Sequence, residues 1–183
     1  DYLFQSLQAN RYLEDKITSS IAGEDEIADA ASAELANIRR LIRAASARVR
    51  DALQKIISSP SYAKALQDPI ITTRSERYVV PVKAEFKTAV PGLVHDVSSS
   101  GATLFVEPMA AVKANNELRE LRAREKAEIE RILAELSADC AEHADGISLD
   151  FDLLVRLDLI FATARLSYTL DAVEPEISKR EIR

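Results

Sequence analysis

Four glycines, six prolines, one cysteine, one methionine and no tryptophan occur in 183 residues. Each scarcity excludes something. So few breakers leave room for long uninterrupted helices. A single cysteine, Cys140, rules out an intrachain disulfide and a cysteine-based metal centre, and it fits a reducing compartment. No charge-free apolar run is long enough to span a bilayer, and the start, Asp1-Tyr2-Leu3, lacks the basic region of a signal peptide. The glycines at 23, 92, 101 and 146 never stand five apart ahead of a lysine and a hydroxyl residue, so a phosphate-binding loop is absent. The lone methionine is Met109, and Glu181-Ile182-Arg183 carries no cap. The expectation is a piece of a longer protein.

What is present is a chain 47% hydrophobic and 30% charged with a formal net charge of −6. That is a globular composition. The acidic balance argues against an overall electrostatic grip on nucleic acid and leaves only local basic patches. Leu3, Leu7, Leu13, Ile17 and Ile21 predict a first helix over residues 2–21, broken at Gly23 and followed by a connector over 24–30. From about 28 to 58, Leu35, Ile38, Ile42, Ala45, Val49, Ala52 and Ile56 keep the 3-4 spacing of a coiled-coil seam, ended by Ser58-Ser59-Pro60. Residues 61–67 could add a turn. Between 69 and 107 the character changes. "IITTRSERYVVPV" and "GLVHDVSSSGATLFVEP" each place β-branched residues on both sides of a polar turn, which predicts two hairpins. Pro81 suggests an edge strand or a bulge. A second long helix follows from Pro108 to about 144. After Asp145-Gly146 a third covers 148–171, with a broad apolar face at Leu149, Leu153, Leu157, Phe161, Ala164 and Tyr168 that predicts deep burial.

The resulting fold class is mainly α with a small β insertion (α+β). It comprises an antiparallel coiled-coil arm (31–58 and 108–144), a sheet at its tip (69–107), and a helical bundle from 1–30 and 145–183. At about 1.5 Å per residue, a thirty-residue arm reaches roughly 45 Å.

Little chemistry is offered. His95 and Asp96 are adjacent, so a strand points them to opposite faces and they do not combine as base and orienter. Ser98 shares the aspartate's face but has no glycine-flanked elbow. The stretch reads as a polar hairpin with a Ser/Gly turn. His95 and His143 are far apart, and the acids of 117–142 alternate with bases as on a solvated helix face. No metal site and no catalytic residue is expected. The cations divide further. With Leu35 at position a, Arg39 falls at e and Arg48 and Lys55 at g, where acids such as Glu125, Glu128 or Glu135 can meet them. Arg40, Arg43 and Arg50 point outward. In the tip, Arg74, Arg77, Lys83 and Lys87 stand among few acids. These four, with Arg43 and Arg50, are the candidate contacts to a phosphate backbone or another partner.

Residues 70–108, then "NNELRELRAREKAEIERIL" and "LDFDLLVRLDLIFATARL", and the earlier "ASAELANIRRLIRAASARVRDALQKII", closely resemble the middle of bacterial type-two MutS proteins. The resemblance is strongest from about 30 to 171. It implies a helical core, or lever, with an inserted clamp. In the parent this is followed soon after Arg183 by an ABC-type ATPase using ATP and Mg, and later by a small nuclease domain, so no catalytic residue or cofactor of the family maps onto this chain. It also implies a cytoplasmic bacterial protein that dimerises chiefly through the ATPase. The implied partners are branched DNA, in suppression of homologous recombination, or collided ribosomes and their RNA, in ribosome rescue.

Overall fold

The computed structural model describes residues 2–173. Its helices are α1 (Tyr2–Gln5), α2 (Arg11–Ser20), α3 (Ala33–Ile57), α4 (Met109–Glu142) and α5 (Ala144–Leu170). Its strands are β1 (Ile21–Gly23), β2 (Glu26–Ile27), β3 (Thr72–Arg74), β4 (Arg77–Lys83), β5 (Gly92–Val97) and β6 (Thr103–Pro108). The class is mainly helical α+β with two small antiparallel sheets. The chain divides into two compact units, Thr18–Ala134 and the pair Asp1–Ile17 with Glu135–Arg183.

In the unit Thr18–Ala134, Ser32 starts α3. Its hydroxyl accepts the Leu35 amide at 2.9 Å and donates to Glu128 at 2.7 Å, filling the N-cap role for which serine is favoured. Helix α3 then meets α4 in the opposite direction. Glu34 bonds Arg124, Arg39 bonds Glu125 at 2.8 Å, and Arg48 bonds Glu117 at 2.6 Å. Between these pairs Ala45 packs on Leu118 and Leu121. The expected partners are thus partly exchanged, since Glu128 goes to Ser32 and Arg131 and Glu135 to Lys16 in the other unit.

The seam also drifts. Leu53, at an e position, is fully buried, whereas Ala52 at d is half-buried. From Val49 onward the neighbour of α3 is the sheet. Val49 and Leu53 cluster with Leu66, Val80, Val82 and Val106, so the buried positions follow the 3.6-residue helix and not the 3.5-residue seam.

The larger sheet has strand order β3-β4-β6-β5. Contrary to expectation, Pro81 lies on an inner strand without a bulge. Its partner on β6 is Phe105, and its carbonyl accepts the Gln67 amide at 3.0 Å. Nitrogen and carbonyl of one strand residue point to the same side. The missing proline donor therefore faces residues 65–67, where a single bridge, Leu66–Val82, replaces a ladder. The irregularity sits instead in β5, between Val94 and Asp96. Gly92 admits no side chain, because a Cβ there would stand 2.2 Å from the Glu107 carbonyl oxygen. The 24–30 connector holds more order than expected: β1 and β2 pair Ile21 with Ile27, and Asp29–Ala31 is a 3-10 turn.

In the other unit the expected single helix 2–21 is two. Residues 6–10 break it, and the Asn10 carbonyl accepts the first bond of α2 from the Glu14 amide. Lys16 donates to Glu135 and Asp139, and these carboxylates, Asp139 foremost, push its ammonium well above the ordinary lysine range. The break between α4 and α5 falls at His143, not at Gly146, which lies inside α5. Helix α5 is also less buried than its sequence predicts. Only Leu153 and Leu157 are buried, while Leu149, Leu154, Phe161 and Tyr168 are exposed. Among the described residues this unit offers α5 only α1, the start of α2 and the end of α4, too little to cover a face that wide.

Candidate nucleic-acid interface

The larger sheet and its connections hold four of the six candidate cations, and their surroundings differ sharply. By strand alternation Arg74, Arg77, Val79 and Pro81 share one face, opposite the core face of Val80 and Val82. Arg74 lies 3.9 Å over the Phe105 ring and pairs with Asp96 at 3.1 Å. That is a cation–π stack with its charge already matched. Asp96 therefore serves β3, not His95.

Arg77 is the least available of the six. Its side chain is only 14% exposed. Its Nη1 donates to both oxygens of Glu107, at 2.8 and 3.1 Å, and its Nη2 to Asn116 at 2.7 Å. Glu107 itself is fully buried. A buried carboxylate is costly unless its lone pairs are matched, and here they are. His95 Nε2 donates to Oε2 at 2.5 Å, and Asn115 Nδ2 to Oε1 at 2.8 Å. Asn115 reaches further, accepting the Tyr78 amide at 3.2 Å and donating to the Tyr78 carbonyl at 3.0 Å. Its carboxamide acts as a one-residue strand partner where β6 has turned away into α4. Sequence reasoning passed over Glu107 and Asn115. Their only signal was position: a glutamate in an apolar strand, and an asparagine on the inward side of a helix.

The remaining cations are freer. Lys83 lines a shallow notch of about 360 Å³ with Gln67, Glu85 and Ala102. Lys87 is exposed beside the 3-10 turn Ala84–Phe86. Lys64, in the segment that bridges to β4, is exposed as well and was not singled out from the sequence. Among the described residues none of these three lysines forms an ion pair within 4.0 Å. On α3, Arg43 is 66% exposed and lies 3.8 Å from Asp29. Asp29 is held below the usual carboxylate range chiefly by its hydrogen bond to Arg39. Arg50 is exposed and stacks 5.7 Å from the Tyr78 ring centre.

Among the described residues no nucleophile is hydrogen-bonded to the His95–Glu107 pair. Among the described residues no group of three acid, histidine or cysteine side chains is arranged to hold a metal ion, and no helix is long and apolar enough to cross a membrane.

The fold is thus that of a mainly helical α+β chain in which a four-stranded antiparallel sheet is inserted between two long helices. No family model matches the chain, but individual relatives do. It is 51% identical over 176 residues to an endonuclease MutS2 of Acetivibrio thermocellus, covering 96% of this chain and 22% of that protein. To an endonuclease MutS2 of Pelotomaculum thermopropionicum it is 58% identical over 163 residues, 89% of this chain and 21% of the relative. The corresponding protein of Geobacillus thermodenitrificans is 50% identical over 168 residues, 92% of this chain and 21% of the relative. The chain belongs to the MutS2 family, and it spans about 22% of the length of the curated relatives it matches.

Proposed function

We propose that this chain is the lever and clamp stretch of a MutS2 protein, and that its tip grips the phosphate backbone of nucleic acid, branched DNA in particular, in suppression of homologous recombination. The observation that carries this reading is the contrast among cations. Arg39, Arg48, Arg74 and Arg77 are matched by acids, while Lys64, Lys83 and Lys87, in and beside the sheet, have no ion-pair partner among the described residues. Unpaired lysines suit contacts that position a backbone without reading bases. Helices α3 and α4 act as the coiled-coil arm, and α1, α2 and α5 as the lever. Catalysis, ATP and Mg belong to the rest of the parent, a cytoplasmic dimer in which two weak clamps act together.

The test is binding of the chain to branched and duplex DNA across a salt series. Replacing Lys64, Lys83 and Lys87 together with alanine flattens the plot of log affinity against log salt by about one for each phosphate that is no longer neutralised. An unchanged slope would refute the tip as the contact surface.

A second reading, an arm that contacts collided ribosomes, is favoured by the exposed Leu93, Val94 and Val97 of edge strand β5, which suit a protein surface better than a phosphate. Binding to ribosomes that persists at high salt and is lost on Val97→Asp would support it.

A further inference from the structure

The sheet is joined to its two helices by different kinds of contact. Among the described residues, α3 contributes no hydrogen bond or ion pair to β3–β6. It meets the sheet through Val49, Leu53 and the Arg50 stack on Tyr78. Helix α4 is tied by directional bonds. Asn115 holds both backbone groups of Tyr78 and one oxygen of Glu107, and Asn116 accepts from Arg77. Glu107, one residue before the last of β6, gathers Arg77 from β4, His95 from β5 and Asn115 from α4 around one buried carboxylate.

Apolar packing is non-directional and lets surfaces slide. A buried, fully matched polar network has one arrangement, and any displacement leaves a buried group unpaired.

We propose that the Glu107 node is a latch that makes β4, β5, β6 and α4 one rigid body, so that the tip follows α4 in preference to α3. Sequence placement supports this division. The node sits at the β6–α4 junction, with no intervening loop, whereas α3 reaches β3 only through the turns and bridge of residues 58–71. A displacement of α4 is thereby passed to the sheet through the node.

The experiment measures spin-label distances in the whole chain with Cys140→Ala as background. One label is at Ser99 in the tip and the other at Ala127 on α4 or Ala47 on α3, all exposed positions. The expected result is a single narrow tip-to-α4 distance that survives Val49→Ala, which loosens only the apolar contact. The same distance loses its single narrow peak in Glu107→Gln and in Asn115→Ala, with helical circular dichroism retained. If Glu107→Gln fails to fold, the surface variant Asn116→Ala gives the reading by the same criterion. A tip-to-α4 distance that stays narrow in the node variants, or that broadens equally in Val49→Ala, would overturn the proposal.

Discussion

At Glu107 a charge is buried among three donors, and the worth of each donor follows from what is left behind when it goes. Glu107→Ala leaves the Arg77 guanidinium, itself mostly buried, with only Asn116, and breaking a buried pair costs about 3–5 kcal/mol. His95→Ala removes one donor from a carboxylate that keeps two others and costs about 1–2 kcal/mol. Urea unfolding should place the His95→Ala midpoint between wild type and Glu107→Ala, and equal midpoints would refute the ranking. The same residues show where sequence reasoning stops. Adjacency of His95 and Asp96 correctly argued against their cooperation, because a strand separates neighbours. That His95 would instead meet a glutamate twelve positions later depends on the β5–β6 register and on the irregularity at Val94/Asp96, which hydrophobic patterning does not encode. Arg77 reads as a free tip cation for the same reason: its partners come from β6 and α4. The turn before it is another case. Ser75 and Glu76 hold φ values of 49° and 63° without the glycine or asparagine that usually announces such a turn.

Among the elements, α3 is the most legible: its helical period follows from the apolar spacing, its end from Ser58-Ser59-Pro60, and the Arg39–Glu125 pair from the heptad position of Arg39. Leu53 escaped because the pattern assumes a helix as neighbour throughout, while the second half of α3 packs on a sheet. The long apolar face of α5 misled in the opposite sense. It was correctly read as apolar but not as covered, because burial depends on partners that periodicity does not name. The start of α3 carries its own prediction. Ser32 caps the helix and donates to Glu128, whose carboxyl is held down at about 2 by its hydrogen bond to Arg131 and then by Ser32. A depressed carboxyl contributes stability above its unfolded value near 4.5, and that contribution is lost as pH falls toward about 2. Ser32→Ala should cost about 1 kcal/mol through the cap. It should also move the Glu128 titration upward, so that less stability is lost on acidification and the loss is complete at a higher pH. Carboxyl titration by nuclear magnetic resonance checks the second effect, and an unmoved Glu128 would disprove it.

For the molecule as a whole, the exposed apolar residues of α5 set a colloidal expectation. Val155, Leu159 and Leu166 are more than half exposed, and apolar surface on this scale marks an interaction site or an aggregation liability. The folded chain should bind an apolar-surface dye. Leu159→Glu with Leu166→Glu should reduce that signal while leaving helical circular dichroism unchanged, and an undiminished signal would place the sticky surface elsewhere. The antiparallel match of α3 with α4 has a further consequence, felt while the chain is being made. Translation runs at about 5–20 residues per second, so Leu118 and Leu121 emerge several seconds after Ala45, the residue they cover. During that interval the apolar stripe of α3 has no helix to lie against. What emerges in between is the sheet, whose Val80 and Val82 cover Val49 and Leu53. Val80 and Val82 are thus the earliest cover available to Val49 and Leu53, and β6, turning directly into α4 at Met109, aims the late helix back along the early one.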